Sequence, residues 1–370
     1  MKKIYLEVGA HPRYYSLVKK PPQGFYYKIK GDYGVAKYYN SRNKNFLRTI
    51  SNYVIKYLGI PRIFYYKDAY DCDLIYSTRG IIPLNMKPFI VEGEHFYSFV
   101  GLKSENYGFR QKFWINKLLS RKYAKKIIMV SKAASEITKK EFPDLSEKID
   151  YVYQVPIYHK IEKKPHEGIN ISIANVGDVY SRGFRILFNV VKKLRKHYDV
   201  NLLVLTKNLL PQDQKEIKKY GILINNTSSI ESGPYHDFWS LSDIFVYLSF
   251  VDTVGNVTYD AMMAGVPLVL SNIIFNREKV ENYVNGFLVD LPFSQWDEDG
   301  KYREIKVDLH YYTNEKVEKD LYEKLKYLIE NEKEREKMGK YNLELIRRGK
   351  FSIYQRNKKL KKIFEEALSS

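Results

Sequence analysis

The stretch DIFVYLSFVDTVGNVTYDAMMAGVPLVLSN, residues 243–272, decides the fold. Its first seven residues alternate and cluster apolar side chains in the manner of a strand that ends near Ser249. A short loop holding Asp252 and Gly255 follows, then a helix to Ala264, which Gly265 and Pro267 stop before a second strand. A strand, a loop and a helix N-terminus in this order make a natural anion site. The amides of Gly255, Asn256 and Val257 would have no partner within the helix, so they can point at a phosphate with the helix dipole behind them. Asp260 lies four residues after Asn256 and shares its helical face, where a carboxylate suits ribose hydroxyls. Taken alone, Asp252 reads as a helix cap. With Asp260 and the Gly265–Pro267 stop in register, contact with a ligand is the leading reading.

Outward from this stretch, short apolar runs recur at residues 3–8, 73–77, 89–91, 127–131, 170–176, 201–206, 222–225 and 286–289. Helical patterns separate them at 46–58, 110–126, 132–142, 184–198 and 317–329, with apolar residues three to four apart. Alternation of this kind predicts parallel sheets wound by helices. The charged, apolar-poor segment 158–168 divides two complete alternating series and is read as a linker. Two doubly wound Rossmann-like domains are therefore expected, 1–160 and 168–350. Ser352-Ile353-Tyr354-Gln355 has the capping-box pattern that should start a separate final helix within 351–370. No internal repeat or low-complexity tract interrupts the chain.

Composition narrows the possibilities further. At 370 residues the chain exceeds what one hydrophobic core usually supports. One cysteine, Cys72, excludes an internal disulfide framework and a Cys-rich zinc site, and the histidines show no metal-ligand spacing. No stretch approaches the ~20 apolar residues of a membrane span, so a cytoplasmic protein is expected. The net charge of +19 implies attraction to phosphates in nucleotides, nucleic acid or acidic lipid without choosing among them.

Specific resemblance enters with Asp252, seven intervening residues, and Asp260-Ala261-Met262-Met263-Ala264-Gly265-Val266-Pro267. This resembles the paired-acid signature of retaining glycosyltransferases of family four. That family usually has Glu at both acidic positions, and Asp shortens each side chain here by a methylene. Val176-Gly177-Asp178-Val179-Tyr180-Ser181-Arg182-Gly183 is similar to the family's strand-end loop, with Arg182 and Gly183 where a basic residue and glycine hold the donor diphosphate. The family's other frequent basic residue, directly after the first glycine, is Asp178 here. Glu278-Lys279-Val280 and Asn285-Gly286-Phe287-Leu288-Val289 resemble a further pair of family segments and add Glu278 to the donor site. In the N-terminal half, Lys87 to His95 is similar to a segment in which a strand ends at a histidine near the reacting sugar, so Glu94 or His95 takes that place. Pro21-Pro22-Gln23-Gly24 resembles a glycine-bearing loop after the first strand, making Gly24 a candidate acceptor or phosphate contact.

The resemblance implies the GT-B fold, with two Rossmann-like domains facing across a cleft and the final helix packing back on the N-terminal one. It also implies transfer of a sugar, with retention, from a nucleotide-diphosphate sugar to a glycan, lipid-linked or protein acceptor. Asp252 and His95 or Glu94 would contact the sugar, Asp260 the ribose, and Arg182 with the Gly255–Val257 amides the diphosphate. No metal or other cofactor is required by this scheme. An epimerase or hydrolase of the same fold is the near alternative. A basic nucleic-acid-binding protein is a distant one, since no nucleic-acid motif accompanies the charge. The basic and aromatic run around Arg110, Lys112, Phe113 and Trp114 makes an anionic membrane surface a further candidate partner.

Overall fold

The computed structural model describes residues 1–9, 14–29, 53–101, 104–175, 177–224 and 233–369. They form two compact units, Met1–Pro156 with Ile353–Ser370, and Ile157–Ser352.

In the first unit the strands are β1 (Lys2–Glu7), β2 (Phe25–Ile29), β3 (Ile63–Phe64), β4 (Leu74–Ser77), β5 (Ile82–Pro83), β6 (Phe89–Gly93), β7 (Ala124–Met129) and β8 (Ile149–Tyr151). Six of them make one sheet in the order β2-β1-β4-β6-β7-β8, and every pair in it is parallel. β4 and β6 are buried along their whole length, as strands covered on both faces must be, which is why they read as continuous apolar runs. Helices α1 (Tyr15–Lys19), α2 (Phe109–Leu119) and α3 (Lys132–Glu141) connect them. Ser131 starts α3 by accepting the amide of Ala134 at 3.1 Å.

The helix expected over 110–126 is shorter than its pattern. It ends at Leu119, and residues 124–126 already belong to β7. Lys125 and Lys126 hide this strand start in the sequence because they carry their charges out of the sheet, Lys126 reaching Glu366 at 3.0 Å. Of the helix expected over 46–58, residues 46–52 lie outside the described residues, and Val54–Leu58 form a π-helical turn closed by Gly59.

The second unit contains β9 (Ile169–Ala174), β10 (Val200–Leu205), β11 (Gly221–Ile224), β12 (Ile244–Tyr247), β13 (Leu268–Ser271) and β14 (Gly286–Val289), all parallel in the order β11-β10-β9-β12-β13-β14. Helices α4 (Phe184–Leu194), α5 (Pro211–Ile217), α6 (Gly233–Leu241), α7 (Val257–Met263), α8 (Glu315–Glu330) and α9 (Glu332–Arg347) wind around it. Their buried stripes, including Phe184, Phe188, Leu321 and Leu325, close on Ile171, Ile173, Val204 and Val246 of the sheet. Buried Asn342 of α9 donates to the carbonyls of Val266 and Asn285, each at 2.9 Å, and so fixes the chain where α7 stops.

The last helix, α10 (Ile353–Ser369), belongs to the first unit. Leu360, Ile363 and Phe364 pack with Ile4, Leu6, Leu74 and Tyr76, and buried Arg356 donates to Ser16 Oγ at 2.8 Å and to the Lys20 carbonyl at 2.7 Å. In both sheets the strand order reverses beside the first strand: β1 lies between β2 and β4, and β9 between β10 and β12. Loops that leave adjacent strands in opposite directions open a crevice at the strands' carboxyl ends, the usual ligand position in such sheets.

Candidate active site

In the second unit, the loops leaving β9 and β12 meet at this reversal, and they carry Arg182 and Asp252. The amides of Leu248 and Phe250 donate to the carbonyls of Arg182 and Ser181 at 3.0 and 3.1 Å, so the two loops are zipped together. Gly183 permits that approach. It has φ +83°, and a Cβ there would lie 2.7 Å from Leu248 Cβ. The missing side chain admits the neighbouring loop.

Two residues 70 apart in sequence thus become an ion pair, with Arg182 Nη2 donating to Asp252 Oδ1 at 2.8 Å. Arg182 Nε donates to the hydroxyl of Tyr247 at 2.8 Å, and that hydroxyl in turn donates to Asp252 Oδ2. Both carboxylate oxygens of Asp252 are therefore held, while Ser249 Oγ accepts its amide at 3.0 Å. The pair is largely enclosed, with 12% and 24% of the two side chains exposed. Asp252 does not cap the helix: Asn256 occupies the N-cap, and its side chain makes no capping bond.

Gly255 turns the chain at φ +56°, packed against the Tyr247 ring. The amides of Thr258 and Tyr259 donate back to the carbonyls of Gly255 and Asn256 at 2.9 and 3.0 Å. Among the described residues the amides of Gly255, Asn256 and Val257 have no acceptor, so three adjacent donors lie beside the Arg182–Asp252 pair. One turn further on, Asp260 accepts the hydroxyl of Tyr235, from α6, at 2.6 Å. Burial pushes the Asp260 carboxyl up to about 7, against the opposing pull of that hydrogen bond. The Glu278 carbonyl accepts Lys350 Nζ at 2.6 Å, and its carboxyl stands close enough to Tyr259 to help raise that phenol.

The first unit holds His95, Glu94 and Gly24. His95 has no exposed surface; it caps the turn Phe96–Val100, its Nδ1 accepting the Tyr97 amide at 3.4 Å while its ring stacks on Tyr97. Glu94 beside it is partly exposed, its amide donating to Ser98 Oγ at 3.0 Å. Gly24 lies at the wrong end of the sheet, because its carbonyl accepts the amide of Lys2, at the start of β1, at 3.0 Å. The glycine that does follow β1 is Gly9, where a Cβ would press within 2.9 Å of Arg79 Cδ. Arg79, which pairs with Glu7, takes a left-handed backbone at φ 62° beside the strand reversal of this unit.

Tyr235 and Tyr247 were missed in the sequence because 34 tyrosines give no reason to single out two. Among the described residues, no group of three or more His, Cys, Asp or Glu could hold a metal, and no helix is long and apolar enough to cross a membrane.

No curated protein matches the chain. Among solved structures, HepE of Anabaena in complex with UDP is similar over 99% of this chain and 100% of its own, at 14% identity and a TM-score of 0.63. A glycosyltransferase from Rickettsia africae matches over 99% and 98%, at 14% identity and 0.61. Sucrose-phosphate synthase from Thermosynechococcus elongatus matches over the full length of both chains, at 11% identity and 0.63. Such identities speak for the fold, which is GT-B. Residues 170–294, which hold the Arg182–Asp252 pair, the Gly255–Val257 amides and Asp260, match the family model Glycosyl transferases group 1.

Proposed function

We propose that the protein transfers a sugar, with retention of anomeric configuration and without a metal, from a nucleoside-diphosphate sugar to a glycan, lipid-linked or protein acceptor. The observation that carries this reading is the Arg182–Asp252–Tyr247 assembly beside the three free amides of residues 255–257. A departing diphosphate needs fixed cationic and amide donors, and a developing oxocarbenium ion needs a nearby carboxylate. Arg182 and the amides fit the first requirement, Asp252 the second. Asp260 is assigned to the ribose and Glu278 to the donor's sugar end. In the first unit Glu94 or His95 is the candidate sugar contact. The complexes of HepE with UDP and with UDP-glucose support a nucleoside-diphosphate sugar as donor.

Thermal unfolding with UDP, GDP and ADP tests the reading. One of them is expected to stabilise the protein by ~2.7 kcal/mol at a hundred times its dissociation constant. No stabilisation by any of the three would remove the donor site. Product analysis then separates transfer from epimerisation and hydrolysis.

The acceptor is assigned to the first unit, at the face of α2. Phe109 and Phe113 stand 85% and 52% exposed there, and Lys117 Nζ lies 5.1 Å from the ring centre of Trp114. Apolar rings set among Lys and Arg suit an anionic lipid interface, at roughly 1 kcal/mol per basic residue near the surface. The protein is expected to sediment with phosphatidylglycerol vesicles and to leave them as salt rises. Equal sedimentation with neutral phosphatidylcholine vesicles would exclude the electrostatic part.

A further inference from the structure

Lys279 lies under the loop 252–257, and no role assigned above uses it. It is 3% exposed, its Nζ donates to the Val254 carbonyl, and the ring centre of Tyr259 is 5.4 Å away. A Cβ built on Gly255 would approach that Nζ to 3.6 Å. Among the described residues no carboxylate lies within ion-pair distance of it. The charged groups that face it are Glu278, its chain neighbour, and Asp252, which already serves Arg182 and Tyr247. Tyr259 of α7 and Tyr247 of β12 complete its surroundings. An ammonium buried without a paired anion is costly, and burial pushes this one down to about 8. A leucine or methionine would fill the same space without that cost.

The location gives the charge a use. The charge of Arg182 is offset by Asp252, so the amides of residues 255–257 would meet an anion with little net cation beside them. We propose that Lys279 is a positioning residue of the nucleoside-diphosphate site: its ammonium holds the Val254 carbonyl inward, so that the Gly255, Asn256 and Val257 amides turn outward, and places a positive charge beneath the diphosphate. This rests on the donor reading given above.

The test is calorimetric affinity between pH 7.5 and 9.5 for whichever of UDP, GDP and ADP stabilises the wild type most. The diphosphate is fully ionised across this range. The uracil or guanine ring of UDP or GDP loses a proton only near the top of the range, and does so alike for every variant, so a difference in slope between variants reports groups on the protein. Wild-type affinity is expected to fall on the order of tenfold as the amine loses its proton, the size of one charged hydrogen bond. Lys279→Met should bind about tenfold more weakly at pH 7.5 and lack the wild-type fall centred near pH 8. Lys163 is the control, since burial also pushes its amine down to about 8 while its Nζ serves the carbonyls of Trp239 and Ser242. Lys163→Met should keep the wild-type slope. A flat wild-type profile overturns the proposal, even if Lys279→Met does not fold. So does a Lys279→Met variant that binds weakly but keeps the slope, which would make the lysine a structural prop only. Absence of binding by all three nucleotides removes the donor reading itself and is a distinguishable result.

Discussion

Asp252→Asn is expected to lower kcat on the order of 100- to 1000-fold, the loss seen when one preorganised electrostatic contact is removed from a reacting centre. Nucleoside diphosphate affinity should stay within a few-fold or rise. The geometry supplies the asymmetry. Arg182 Nη2 now donates to Asp252 Oδ1 at 2.8 Å, and a neutral amide competes less for that guanidinium, leaving it freer for phosphate. Tyr247 keeps an oxygen partner in the variant, so the loop retains its shape. Calorimetry with the nucleotide and initial rates with the donor give the two numbers. An effect on kcat with KM little changed marks an interaction made in the transition state. If nucleotide binding collapses instead, Asp252 supports the site mainly by orienting Arg182, and its place beside the sugar is wrong.

Asp260→Asn should do the reverse, weakening nucleoside diphosphate and intact donor alike by roughly ten- to a hundred-fold, since both carry the ribose. It should also stabilise the free protein at alkaline pH. The Asp260 carboxyl is pushed up to about 7 in the fold, against an ordinary value of 3.8. The folded state therefore holds this proton more tightly than the unfolded chain between pH 4 and 7. The group's contribution is favourable below pH 4 and is lost as pH rises through 7. Above that, keeping the carboxylate ionised costs up to about 4 kcal/mol. Asn carries no such cost and still accepts the Tyr235 hydroxyl. Denaturation at pH 8 should show a more stable variant, and at pH 4 the two proteins should nearly coincide. Wild-type nucleotide affinity should fall below pH 7 as the carboxylate that serves the ribose is protonated. A variant with normal affinity at pH 8 would remove Asp260 from the ribose.

The two effects together describe a site maintained against stability. Asp260 and Lys279 are both shifted by burial away from the charge a ligand would need, Asp260 on the helix that follows Gly255 and Lys279 reaching the loop from beneath. Local cost of this kind gathers where a binding surface must be ready before its ligand arrives.

What the sequence determined by itself is the doubly wound α/β class and the order of the elements, because these rest on local periodicity: continuous apolar runs for strands covered on both faces, and three-to-four spacing for the helices. The glycine-stopped helix was equally legible, since strand, loop and helix N-terminus are contiguous from 243 to 272. Edges of elements were not. The start of β7 at Ala124 is disguised by two lysines whose charges leave the sheet, and β2 (Phe25–Ile29) follows a loop that the resemblance takes for the glycine-bearing loop after the first strand. Only the tertiary structure decided which residues share the site. Arg182 and Asp252 are joined by the reversal of strand order at β9 and β12, a relation with no local signature. Burial was likewise decided there. His95 and Glu94 are neighbours in sequence, yet one caps a turn in the interior and the other reaches the surface. Lys279 looks like one more of 62 basic residues until packing places it under Gly255 and strips it of water. Periodicity is a property of neighbouring residues, whereas desolvation and convergence of loops are properties of what the rest of the chain brings against them.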